Sequence, residues 1–311
     1  MKVIYFGTPD FAVKPLEKLI QHHDVVAVVT QPDRPVGRSN KPVFCPVKQL
    51  AVANNIPVLQ YEKIRLQGVE DLKNLDADIM VSCAYGQIFS KEILDITPFG
   101  MYNIHGSLLP KYRGAAPIQW SIINGEEYCG ITILKTDVGM DDGDMLLKKP
   151  VKILENETSG ELFDRLSMVG ADAIIEALDM LEKGNFTLTP QNHEEATICK
   201  MLKSEMSKLD FSKPAKEVAN MIHGLNPWPV AKVEISGTNF KVFKVRVRED
   251  LSGKEGTVIE SSSKKGLIIA CGQNSIELDE IQPENGKRMN AKSYLNGKSI
   301  SVGEVVRWTE S

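Results

Sequence analysis

A parallel α/β sheet domain followed by a small β-barrel is the fold class the sequence predicts, and three observations predict it. In the first half, short apolar or β-branched runs at Lys2–Phe6, Val25–Thr30 and Ile79–Ala84 alternate with stretches of helical spacing. Beyond Ser207, short strands are separated by Gly, Asn and Ser turns. Between the halves, residues 189–206 lose periodicity and read as a linker. A chain of 311 residues is long enough for two cores. The expected division is therefore 1–188, 189–206 and 207–311.

Lys2–Phe6 ends at Gly7-Thr8-Pro9, and helical spacing follows over Phe11–Ile20, giving strand, tight turn and helix. Helices are predicted over Val47–Asn54, Asp71–Leu75 and Ile118–Asn124, with a strand over Gly130–Lys135. Thr158–Leu181 reads as a long amphipathic helix with Thr158 as N-cap and Glu161 at capping-box spacing. Pro214–His223 is predicted helical and is broken by NPWP at Asn226–Pro229. The barrel strands are expected at Ala231–Ile235, Phe240–Val247, Gly256–Ser261, Gly266–Ala270 and Ser275–Ile281.

In a parallel sheet, ligands bind outside the carboxyl ends of the strands, which places the turn after Phe6 and the Tyr85-Gly86 segment beside a site. The first turn, GTPDF, lacks GxGxxG, so a nicotinamide dehydrogenase is not expected. No apolar run reaches membrane-spanning length and MKVIYFGTPDF reads directly as a strand, so a cytoplasmic protein is expected. Five widely spaced cysteines without CxxC argue against a disulfide framework or a structural zinc site. The charge of −4 divides unevenly: 21 Lys/Arg face 28 Asp/Glu up to Met206, and 16 face 13 beyond it. A mildly basic second half permits a polyanionic partner without demanding one. The proline-rich loop QPDRPVGRSNKPVFCP, from Gln31 to Pro46, carries Arg34, Arg38 and Lys41 and is either a solvated connection or a basic finger.

Chemistry concentrates between Asn103 and Asp144. Asn103 and His105 are two apart on an extended segment and leave the same face. SLLPKYRGAAP then reads as an ordered loop with free backbone groups, and DVGMDDGD as an acidic turn. An amide and an imidazole directed at one carbon can hold a tetrahedral oxyanion, and a carboxylate can orient the imidazole. Acyl-type transfer is the reaction class this suggests. Without a GxSxG or papain-like context, direct attack by a substrate amine is favoured over a covalent intermediate. One His without HxH or HxxxH spacing is a weak metal set, and no metal is expected. Singly, each residue has a structural explanation as a bonded His, a turn Asp or a loop-capping Asn.

NIHGSLLPKYRGAAPIQW followed by DVGMDDGDML resembles the formyltransferase family that uses 10-formyltetrahydrofolate. FGTPDFA at Phe6, TQPDRPVGR at Thr30, SCAYGQI at Ser82 and NPWP at Asn226 extend the likeness nearly end to end, toward its tRNA-acting members. The resemblance implies a Rossmann-like formyltransferase domain followed by an OB-like barrel that binds tRNA. It also implies formyl transfer from the folate to the amino group of methionine on initiator tRNA, by a monomer. Alternatives are an amino sugar nucleotide, a purine precursor or water as acceptor, or a folate- or RNA-binding protein without catalysis. By resemblance, Asn103, His105 and Asp141 match the catalytic residues, Asp141 by its place in DVGxDxGD. Ser107, Leu108, Leu109 and Pro110 match the folate-binding segment. Arg38 falls in the tRNA-contacting loop, and Lys200 and Lys203 in a linker that is basic in relatives.

Overall fold

The structure is a computed structural model that describes residues 1–35 and 42–307. The chain forms two compact units, one of 1–114, 129–151 and 163–199, the other of 115–128, 152–162 and the residues from Lys200 onward.

The first unit is built on strands β1 (Lys2–Gly7), β2 (Asp24–Thr30), β3 (Val58–Gln60), β4 (Ile79–Cys83), β5 (Met101–His105), β6 (Tyr128–Lys135) and β7 (Met145–Lys152). They lie in the order β7-β6-β5-β4-β1-β2-β3. β1 is parallel to both β2 and β4, β2 to β3, and β4 to β5. Val3, Ile4, Tyr5 and Phe6 are fully buried, as expected of a continuous apolar run inside a sheet covered on both faces. Each such side chain contributes about 1.5–3 kcal/mol by leaving water. The chain winds from β1 outward to β3 and returns to β4 on the other side, so the order reverses between β1 and β4. The crevice outside their carboxyl ends is where such a sheet accepts ligands.

The far end of the sheet departs from the parallel expectation. β5 pairs with β6 antiparallel. Residue periodicity specifies a strand but not its direction, which depends on the path of the connection. β7 was not expected at all. Its sequence, MLLKKPVK, has the alternating burial of a half-solvated edge strand, and Pro150 is tolerated because an edge leaves one row of amides unpaired.

The helix Ser159–Glu182 begins as expected: the Glu161 amide donates to Thr158 Oγ1 at 3.3 Å, and the Thr158 amide donates to Glu161 Oε2 at 2.9 Å. Among the described residues no helix is long and apolar enough to cross a membrane.

The second unit carries β8 (Ala231–Ile235), β9 (Thr238–Arg248), β10 (Val258–Ser262), β11 (Gly266–Ala270) and β12 (Ser275–Pro283). They form an antiparallel sheet in the order β8-β9-β12-β11-β10. The segment after Gly303 closes it. Val305 bridges Thr257 beside β10 and Arg307 bridges Glu234 on β8, so one strip of chain pairs with both edges. Val233, Phe240, Val245, Ile269, Ile276 and Leu278 fill the interior together with Ile222 from the helix Ala215–Gly224.

On the same helix, His223 is buried and its Nε2 accepts the Val245 amide at 3.3 Å. Burial holds its pKa down at about 4, against 6.5 ordinarily. The unfolded chain therefore takes up a proton between pH 6.5 and 4 that the folded chain refuses, and stability falls as the pH is lowered through that window. Urea unfolding of wild type at pH 7 and pH 4.5 is expected to show a loss of roughly 2 to 3 kcal/mol from this group. His223→Gln should remove that loss, and an equal acid sensitivity in the variant would refute the assignment.

Candidate active site

Asn103 and His105 stand at the carboxyl end of β5, beside the switch point. Parallel pairing puts Ser82 of β4 in register with Asn103, and the Ser82 hydroxyl donates to Asn103 Oδ1 at 2.9 Å. The amide is thereby turned: its oxygen is engaged at the sheet and its Nδ2 is left to donate elsewhere. Asn103 is half-buried.

His105 is buried, with 5% of its surface exposed. Its Nε2 lies 2.8 Å from the Tyr112 carbonyl oxygen, which can only accept, so Nε2 carries hydrogen. Nδ1 then faces Asp141 Oδ2 at 3.6 Å, close enough for charge to be felt yet longer than a hydrogen bond. The structure thus brings His105 and Asp141 together. Asp141 sits in the left-handed region at φ 52°, uncommon without glycine, and its Oδ2 accepts the Gly114 amide at 2.9 Å. Gly114 itself has φ 108°, and a Cβ there would stand 2.5 Å from the Cys199 carbonyl oxygen. Glycine is what allows that amide to approach the carboxylate.

The Ser107–Pro110 segment behaves as an ordered loop. Ser107 Oγ donates to the Lys111 carbonyl at 2.7 Å, and Thr132 Oγ1 donates to the Ser107 carbonyl at 2.7 Å while accepting the Leu109 amide at 3.2 Å. Leu109 packs with Leu134 and Met145. The Ser107 and Leu109 side chains are buried, whereas Leu108 and Pro110 are partly exposed. Tyr85, in the segment expected beside a site, turns its ring inward to stack on Phe89, with centroids 5.5 Å apart. Its carbonyl oxygen instead accepts Gln31 Nε2 at 2.9 Å and ties the crevice loops together.

Cys83, at the end of β4, is fully buried and its thiol is pushed up to about 12 by burial, which removes it as a thiolate nucleophile. Among the described residues, no group of three His, Cys, Asp or Glu could hold a metal ion. Lys200 and Lys203 are exposed in the second unit. Arg38 and Lys41 lie outside the described residues.

Sequence reasoning missed Ser82, Arg113 and Gln191. Ser82 lies inside an apolar strand and shows its role only through the register of β4 with β5. Arg113 and Gln191 sit in aperiodic stretches, and their partners are each other, distant backbone carbonyls and, for Arg113, His193.

The family model described as "Formyl transferase" matches residues 1–178, and that described as "Formyl transferase, C-terminal domain" matches residues 201–299. A methionyl-tRNA formyltransferase of Acetivibrio thermocellus is 44% identical over 310 residues, covering 98% of this chain and 99% of that one. Among solved structures, an N-formyltransferase of Helicobacter canadensis bound to folinic acid and dTDP-3-aminofucose superposes with a TM-score of 0.69 at 21% identity, over 89% of this chain and 99% of that one. HypX of Aquifex aeolicus superposes with a TM-score of 0.63 at 15% identity over 96% of this chain, which spans 49% of that longer protein. These two establish a shared fold, while the matches to both family models and the near-complete 44% alignment establish kinship. The chain belongs to the formyl transferase family, among the methionyl-tRNA formyltransferases.

Proposed function

We propose that this protein transfers the formyl group of 10-formyltetrahydrofolate to the α-amine of methionine esterified to initiator tRNA, acting as a cytoplasmic monomer. The observation that carries this reading is the 44% identity to a methionyl-tRNA formyltransferase across 98% of this chain and 99% of that relative. The arrangement of Asn103, His105 and Asp141 supports it.

The neutral amine attacks the formyl carbon, and the new C–N bond forms as the carbonyl π electrons move onto oxygen. Asn103 Nδ2 donates to that oxyanion, already aimed by Ser82 so that no reorientation is needed at the moment of reaction. His105 takes the proton released by the amine at Nδ1, and the resulting imidazolium, facing Asp141 Oδ2, adds positive charge beside the oxyanion. Collapse breaks the bond to N10 of the folate, and the imidazolium returns the proton to that nitrogen. The folate lies along the Ser107–Pro110 loop, where Leu108 and Pro110 are the partly exposed residues that can meet it.

The division of labour follows the expected segments. Residues 1–188 carry the groups that meet the reacting atoms, while Arg38 in the loop, Lys200 and Lys203 in the 189–206 linker, and residues 207–311 bind the tRNA. Phosphate contacts of that kind make binding fall steeply with salt. The test is transfer of labelled formyl with charged initiator tRNA, an amino sugar nucleotide and water offered as competing acceptors. Label on the methionyl-tRNA supports the reading, and label on the sugar or released as formate overturns it.

A further inference from the structure

We infer that Gln191, held by Arg113, is a positioning residue that fixes the Asp141 carboxylate against His105, so that a stretch expected to be a passive linker is part of the catalytic apparatus. The inference rests on the reading of Asp141 given above.

Gln191 is buried, and its side-chain amide donates to two backbone carbonyls of the acidic turn, Asp141 O and Gly143 O, both at 2.8 Å. Two donors on two carbonyls two residues apart fix the curvature of the turn between them, where Asp141 adopts its left-handed conformation. The other end of the same side chain is equally engaged. Gln191 Oε1 accepts Arg113 Nε at 3.0 Å and a terminal guanidinium nitrogen of Arg113 at 2.7 Å. Arg113 is itself buried, with a terminal nitrogen 3.3 Å from His193 Nδ1. A fork-like pair of donors on one acceptor fixes the orientation of that acceptor as well as its distance. The Gln191 amide therefore cannot flip without putting its nitrogen against the guanidinium.

The surrounding segment braces both sides of the reacting pair. Thr189 and Met145 exchange amide bonds at 2.8 and 2.9 Å, which anchors the far end of the acidic turn. Thr197 Oγ1 accepts the Tyr112 amide at 2.8 Å, and the Thr197 carbonyl accepts the Arg113 amide at 2.8 Å. Those contacts hold the loop whose Tyr112 carbonyl fixes the His105 ring. Residues 189–197 thus grip the backbone of the acidic turn on one side and the imidazole support on the other.

Gln191→Met keeps the buried volume and removes the side-chain bonds to Asp141 O, Gly143 O and Arg113. An error of about an ångström in a catalytic group is enough to cost on the order of a hundredfold in rate. For formyl transfer to charged initiator tRNA, kcat of Gln191→Met is expected to fall about tenfold to a hundredfold with KM for both substrates within about twofold of wild type. Gln191→Glu, which retains the acceptor facing Arg113 but presents oxygen to the two carbonyls, should be no better. Because Gln191 acts through Asp141, adding Gln191→Met to Asp141→Asn should lower kcat by less than about twofold further.

The readouts separate this from a merely structural role, which would lower the folded fraction equally in both backgrounds. Near-wild-type kcat in folded Gln191→Met, or losses that multiply in the double variant, overturns the inference while leaving the function intact. Near-wild-type kcat in Asp141→Asn overturns the reading of that carboxylate and the inference with it. Should Gln191→Met not fold, Arg113→Lys, which keeps the buried charge but loses the fork, is expected to show the same fall in kcat and the same masking by Asp141→Asn, and additive losses there count against the inference.

Discussion

Asn103→Ala should turn over charged initiator tRNA about a hundred- to a thousandfold more slowly than wild type, with little change in KM for the formyl donor. The reasoning starts from Ser82. Because its hydroxyl engages Oδ1 at 2.9 Å, N–H is what the Asn103 amide has left to offer, and an N–H bond to the reacting oxygen is worth most when that oxygen carries charge. Loss of the donor therefore raises the barrier without weakening ground-state binding. Asn103→Asp is the sharper variant. It keeps an acceptor for Ser82 but sets a negative oxygen against the oxyanion, so it should fall below the alanine variant. If the aspartate variant equals or exceeds alanine in kcat, the donor role is wrong.

His105→Gln is expected to cost about a hundred- to ten-thousandfold in kcat, the usual contribution of a positioned proton acceptor. Glutamine can still donate to the Tyr112 carbonyl, which accepts His105 Nε2 at 2.8 Å, so the 107–112 loop keeps its support. What it lacks is a basic nitrogen facing Asp141. Combined with Asp141→Asn, the loss should be far smaller than the product of the single losses, since the carboxylate matters through the imidazole. Single-turnover rates for the four enzymes decide it: a multiplicative double variant would separate the two residues into unconnected roles.

Much of this was legible in the chain. Ala231–Ile235 and Gly266–Ala270 coincide with the strands expected from β-branched runs and turn residues. The Thr158–Glu161 box announced its helix because capping is a local contact between residues three apart. Asn103 and His105 were found by the same local logic, being two apart on one strand. The losses share a different cause. The reversal of β6 against β5 depends on how the chain returns rather than on the residues in the strand. The Ser82 contact depends on the register of two strands 21 residues apart. Residues 189–197 looked like a linker because they bury no apolar face. Their order comes from hydrogen bonds to backbone groups far away in sequence, and such partners leave no period to read.

The strip of chain at Val305–Arg307 has a consequence for the fate of the protein. Since the same few residues pair with Thr257 on one rim and Glu234 on the other, a single proteolytic nick after Gly303 unzips two seams at once. Each freed rim is a ladder of unpaired amides of the sort that recruits a neighbouring chain. Val305 is half exposed and within a protease's reach, so clipping there would open both rims to pairing with another strand.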